Sequence, residues 1–176
     1  MATDAIARLG ALVGARLQQA QAVLVSAESC TGGWVSQAVT AVAGSSAWFD
    51  RGFVTYSNAS KQELLGVREE TLAQYGAVSE PTAREMAAGA IAGSQANVAL
   101  AITGVAGPSG GTPTKPVGMV CFAWALRRGP VGDAQALETR SETRRFTGGR
   151  EAVRRQAVVR ALQGVIEMLD AQAGGV

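Results

Sequence analysis

The residues able to do chemistry concentrate in Ala27-Glu28-Ser29-Cys30-Thr31-Gly32-Gly33, two hydroxyls and a thiol ahead of a glycine pair. The run follows Ala22-Val23-Leu24-Val25, with the length and β-branched content of a buried strand, and precedes Trp34 to Ala43, a breaker-free stretch that reads as a helix. A strand-to-helix corner leaves backbone N–H groups without partners. Such a corner can hold an oxyanion or expose a nucleophile. The plainer alternative is that Ser29 and Thr31 cap the helix while Gly32 and Gly33 let the chain turn, and local pattern alone favours it.

The chain contains no histidine. Every Ser–His or Cys–His pair and every histidine-bearing metal site is therefore excluded, and two cysteines cannot build a thiolate zinc cage. A hydrolase of this composition needs Lys, Asp, Glu, Tyr or a chain terminus as its base. There are two lysines, Lys61 and Lys115. Lys115 is flanked by prolines in a loop. Lys61 could serve Ser29 if burial or a nearby cation lowered its pKa; otherwise it is a solvated first-turn lysine. Cys30 is a rival nucleophile or a small buried residue, and only one of Ser29 and Cys30 is expected to face a cleft.

Composition sets the frame for these groups. At 47% hydrophobic and 17% charged, the 176 residues describe one globular domain, 1–176, with few aromatics and a core of small side chains. The formal charge of +2 is too small to imply nucleic acid. Residues 1–88 carry six basic and eight acidic groups, and residues 89–176 carry ten and six. The excess is arginine between Arg127 and Arg160, a side chain suited to forked contacts with phosphate or carboxylate. No apolar run approaches the ~20 residues of a membrane span, and no signal peptide is recognisable. The expectation is a cytoplasmic protein with reduced Cys30 and Cys121, and no metal or cofactor.

The elements that must position these residues follow from periodicity. Ile6, Leu9, Val13 and Leu17 mark a helix over 4–19 started by Thr3 or Asp4. Trp48 to Tyr56 reads as a second strand with Phe53, Val54 and Tyr56 as its core. Lys61 opens a short helix ending at Gly66, and Glu69 to Tyr75 makes another. Ser79 caps a helix burying Ala83, Met86, Ala87, Ala90 and Ile91. Asn97 to Thr103 is a third, central strand. It is followed by the Gly/Pro loop Gly104-Val105-Ala106-Gly107-Pro108-Ser109-Gly110-Gly111-Thr112-Pro113. Val117 to Leu126 and Gln135 to Phe146 form an antiparallel pair around Arg127-Arg128-Gly129-Pro130. A closing helix from about Gly149 to Ala171 turns Val158, Ala161, Leu162, Val165 and Leu169 inward. The pattern is a three-layer α/β domain with a mixed sheet. Its carboxyl edge would gather Glu28–Gly33, Tyr56–Lys61 and Thr103–Thr112.

Several motifs, in order, resemble one family: Ala27–Gly33, Gly44-Ser45-Ser46, Gly52–Asn58, Gly76–Pro81, Thr103–Pro108 and Lys115-Pro116-Val117-Gly118. They are similar to the CinA C-terminal family, the nicotinamide-nucleotide amidases, in its stand-alone form, from about Thr3 to Leu169. The resemblance implies a three-layer α/β/α sandwich with a five-stranded mixed sheet, one strand antiparallel. It implies hydrolysis of nicotinamide mononucleotide to nicotinate mononucleotide and ammonia, with Ser29 as nucleophile and Lys61 as base. It also implies that Ser46, Tyr56 and Thr103 line the site, and that an arginine near Gly148-Gly149-Arg150 holds the phosphate. The Gly104 and Gly107 backbone belongs to the same substrate set. Backbone N–H groups of Cys30, Thr31, Gly32 and Gly33 are the expected oxyanion donors. Ser109-Gly110-Gly111-Thr112 departs from the family, where an acid is commoner after Pro108. A homodimer is expected, and a membrane partner is not. The alternatives are a non-catalytic nucleotide-binding module, or a competence/DNA-damage accessory module using Arg144, Arg145, Arg150, Arg154 and Arg155.

Overall fold

The computed structural model describes residues 2–128 and 136–175. Its strands are β1 (Leu24–Glu28), β2 (Phe49–Val54), β3 (Val98–Gly104), β4 (Met119–Arg127) and β5 (Leu137–Arg145). They form one sheet in the order β2-β1-β3-β4-β5. β1 pairs in parallel with β2 and β3, while β4 is antiparallel to both β3 and β5, so β4 alone runs against the rest. The helices are α1 (Ala2–Gln19), α2 (Trp34–Thr40), α3 (Asn58–Leu65), α4 (Glu69–Tyr75), α5 (Glu80–Ala92) and α6 (Arg150–Ala173). This is the expected α/β/α sandwich. The turn expected at 127–130 runs into residues 129–135, outside the described residues.

The two-residue period of β3 and β4 sorts side chains by size. Val98, Leu100 and Ile102 of β3 and Val120, Phe122, Trp124 and Leu126 of β4 face α1, α2 and α6. Ala99, Ala101, Cys121, Ala123 and Ala125 face the other way, where α5 contributes Ala83, Met86, Ala87, Ala90 and Ile91. The small face lets α5 lie close to the sheet, and α3 and α4 pack on α5.

Three differences from the sequence reading bear on the site. β1 extends through Glu28, so that acid belongs to the strand and not to the turn. Val54 and Tyr56 are not core: they are 47% and 61% exposed, because β2 is an edge strand and Tyr56 lies beyond its end. Lys61 stands within α3, which starts earlier at a reciprocal cap between Ser57 and Ser60. Among the described residues no helix is long and apolar enough to cross a membrane.

The α3–α5 contact is set by Gly89. A Cβ there would fall 1.8 Å from the Leu65 carbonyl oxygen at the end of α3. Gly89→Ala must push α3 outward, at about 1–3 kcal/mol. The thermal midpoint of the variant is expected several degrees lower; one unchanged within error would show that the two backbones are not locked.

Candidate active site

The sheet order places a switch point at β1. Its onward connection, α2, lies on one face, and the β2-to-β3 connection through α3, α4 and α5 lies on the other. A crevice opens at the carboxyl ends of strands where connections diverge in this way. Here it is a cleft of about 310 Å³ lined by Ser29, Cys30, Tyr56, Asn58, Lys61, Thr103, Arg150 and the loop from Gly104 to Gly110.

Ser29 follows β1 directly, and its amide continues the ladder by donating to the Ile102 carbonyl of β3 (3.0 Å). Across the strand end, the Thr55 amide donates to Glu28 O (2.8 Å), which fixes the exit of β2 beside the same turn. α3 then carries Lys61 back into the gap. Lys61 is 2% exposed. Its Nζ donates to Ser29 Oγ at 3.0 Å and to the Thr55 carbonyl at 2.7 Å. It forms no ion pair with any described carboxylate. Burial pushes the Lys61 ammonium below the ordinary lysine range, with Cys30 acting weakly the other way. The solvated reading of Lys61 therefore does not hold.

Cys30 reaches the cleft beside Ser29, yet at 6% exposed it packs in the core cluster with Val35 and Ala38, as the reading of a small buried residue has it. Protonation separates them. Burial pushes the Cys30 thiol up to about 12, which leaves it protonated and unreactive near neutral pH.

The corner is held by a residue the sequence reading left without a role. The fully buried Glu28 carboxylate accepts from Thr31 Oγ1 (2.8 Å), Val35 N (2.9 Å), Ser36 N (3.1 Å) and Ser36 Oγ (3.1 Å). It caps α2 from the preceding strand, while Gly33, the formal cap, adopts φ 97° and offers no side chain. Neither Ser29 nor Thr31 caps the helix. The signal was an acid closing the strand run Leu24-Val25-Ser26-Ala27.

Tyr56, Thr103, Gly104, Gly107 and Arg150 are brought to the cleft as expected. Arg150 donates to the Gly107 carbonyl (2.8 Å) and to Tyr56 Oη (2.7 Å). The Thr103 hydroxyl donates to Ala77 O (2.8 Å). Thr31, Gly32 and Gly33 do not line the cleft, and Thr31 is fully buried. Ser46 is not brought there either. It is exposed in the short 3-10 turn Ser45–Ala47 before β2. Parallel pairing puts that turn beside the start of β1, where Leu24 N donates to Trp48 O, at the opposite edge from Ser29. Lys115 is not freely solvated, since its Nζ donates to the Tyr75 carbonyl.

A family model of the CinA C-terminal domain matches residues 6–169. The chain belongs to the CinA C-terminal domain family. Two of its relatives, the nicotinamide-nucleotide amidohydrolases PncC of Escherichia coli K12 and Pseudomonas putida, are 53% and 48% identical. The aligned regions cover 93% and 94% of this chain and 94% and 98% of those proteins. Among solved structures, a competence/damage inducible protein CihA from Agrobacterium tumefaciens superposes with a TM-score of 0.84 at 42% identity, over 94% of this chain and 96% of that one.

The displaced lysine pKa has a consequence for stability. The folded value lies below the ordinary 10.5. Between the two values the unfolded chain binds more protons at this position, so stability rises with pH across that interval. Denaturant unfolding at several pH values is expected to show native protein gaining on Lys61→Met as pH climbs toward 10.5. A flat or falling difference contradicts a depressed Lys61.

Proposed function

We propose that this CinA-family chain hydrolyses the carboxamide of nicotinamide mononucleotide to nicotinate mononucleotide and ammonia through an acyl-enzyme on Ser29. The observation that carries the reading is the 3.0 Å contact between Lys61 Nζ and Ser29 Oγ, with the lysine buried and without an acid partner among the described residues. Only the neutral amine can accept a proton, and burial is what depletes the ammonium form. The relatives named nicotinamide-nucleotide amidohydrolase supply the substrate class.

In this reading neutral Lys61 takes the Ser29 hydroxyl proton as Oγ attacks the carboxamide carbon. The tetrahedral intermediate collapses, Lys61 returns the proton to the departing nitrogen, and ammonia leaves. Water then attacks the ester, Lys61 takes its proton, and Oγ leaves with that proton to restore the pair. The developing oxyanion needs donors, each worth about 3–4 kcal/mol. The Gly32 and Trp34 amides are engaged by Ser29 O and Thr31 O. Thr31 is fully buried, and of the four expected residues Cys30 alone lines the cleft, so the Cys30 amide is the donor this reading keeps, a narrower set than the sequence suggested. Arg150 at the cleft wall supplies a fork for the phosphate, and the Tyr56 ring stands at the cleft mouth.

The rival of a nucleic-acid accessory module loses its footing on the arginines. Arg144 pairs with Glu142 and Arg155 with Glu151, while Arg154 is turned onto backbone carbonyls. A non-catalytic nucleotide-binding module would bind the mononucleotide and release nothing.

Ammonia release from nicotinamide mononucleotide is expected to vanish in Ser29→Ala and in Lys61→Ala; undiminished turnover in Ser29→Ala overturns the mechanism. Arg150→Met is expected to raise KM for the mononucleotide about tenfold or more while leaving the riboside, which lacks phosphate, nearly unaffected. Equal losses on both substrates would remove Arg150 from the phosphate.

A further inference from the structure

Arg154 is used by nothing in the mechanism above and does not line the cleft. Yet its guanidinium forks onto two successive carbonyls of the nucleophile turn. Nε donates to Cys30 O (3.0 Å) and Nη2 to Thr31 O (3.1 Å). Its Cζ lies 5.5 Å from the centre of the Trp34 ring, at the start of α2, which limits where the fork can point.

We propose that Arg154 is the positioning residue of the oxyanion site. The inference rests on the acyl-enzyme reading of Ser29. Within the turn, which passes through Gly32 at φ 61° and Gly33 at φ 97°, the Gly32 amide donates to Ser29 O and the Trp34 amide to Thr31 O, and the Arg154 fork adds an anchor from outside it. In a planar trans peptide the C=O and the following N–H point in opposite directions. The Cys30–Thr31 and Thr31–Gly32 peptides are trans. Drawing Thr31 O toward α6 therefore aims the Gly32 N–H back at Ser29 O, where it is bound at 3.0 Å, and Ser29 O held there fixes the opposite direction of the Cys30 N–H, the amide on a residue of the cleft wall. Thr31 is then gripped at both ends, its hydroxyl by Glu28 and its carbonyl by Arg154. A lysine cannot reproduce this, since one ammonium cannot present the planar fork that matches two carbonyls.

The test is phosphonylation of Ser29 by a fluorophosphonate, followed by intact mass. A bond forms from Oγ to phosphorus, fluoride leaves, and Lys61 takes the proton, so the rate reads both nucleophile and oxyanion donors without the natural substrate. Arg154→Met is expected to slow labelling about a hundredfold, the scale of loss from small misplacement of reacting groups. The pH midpoint of labelling, which reads Lys61, should stay where it is in the native protein. KM for nicotinamide mononucleotide should also hold within about threefold while kcat falls. Where Arg154→Met melts early, Arg154→Lys carries the test, with labelling about tenfold slower at an unchanged midpoint. Labelling at the native rate in these variants overturns the inference alone, as does a midpoint that moves with the substitution. A native protein that is not phosphonylated at Ser29 overturns the acyl-enzyme reading and this inference with it.

Discussion

A buried lysine with no carboxylate beside it among the described residues is the constraint on which this structure turns. An ammonium taken out of water costs several kcal/mol unless other groups replace its hydration. Here the replacements are one carbonyl, Thr55 O, and one hydroxyl, Ser29 Oγ. An aspartate beside Lys61 would hold the proton on the amine and make the residue a poor base. Two neutral oxygens leave the cost partly unpaid and the proton loosely held. The environment that makes Lys61 a liability for folding is the one that suits it to accept a proton.

Maintaining that environment requires three chain segments to meet within one hydrogen-bond length. β1 delivers Ser29, β2 delivers the Thr55 carbonyl, and α3 delivers the ammonium. Each segment is tied independently: Ser29 N to Ile102 O, Thr55 N to Glu28 O, and α3 by its Ser57–Ser60 cap and the close pass of Gly89 under Leu65. The size sorting across the sheet serves the same end. Alanines at 99, 101, 123 and 125 let α5 sit close to the strands, and α5 is the platform against which α3 rests.

Much of this was legible in the residues themselves. The absence of histidine leaves lysine as a natural base for a serine, and of the two lysines Lys115 is set in a Pro-flanked loop, which leaves Lys61. The buried faces of α5 and α6 emerge from periodicity because apolar burial dictates their spacing. Other features were not legible, for stated physical reasons. Whether Lys61 is solvated or buried depends on where α3 docks, a tertiary fact. Val54 and Tyr56 look like strand core until the sheet order makes β2 an edge. Ser46 drew attention through its motif, whereas its place follows from strand direction: it precedes β2 and so falls at the wrong edge. Glu28 and Arg154 act on backbone groups, and no sequence pattern announces which carbonyl or amide a side chain will find.

One signal for Arg154 was nonetheless present. Arg150 and Arg154 are four residues apart on α6, hence neighbours on one face, separated by about 6 Å along the axis. The helix gives the two guanidiniums different tasks: Arg150 reaches Gly107 O and Tyr56 Oη at the cleft wall, and Arg154 reaches the carbonyls behind Ser29. Because a helix of 24 residues packed on the sheet is stiff, the wall and the nucleophile turn are referenced to one rigid ruler. On the proposed reaction this matters for rate. The phosphate would be gripped from the first turn of the helix and the oxyanion donor held from the next, so the scissile carboxamide is placed by helix geometry as well as by the glycine-rich loop that lines the cleft.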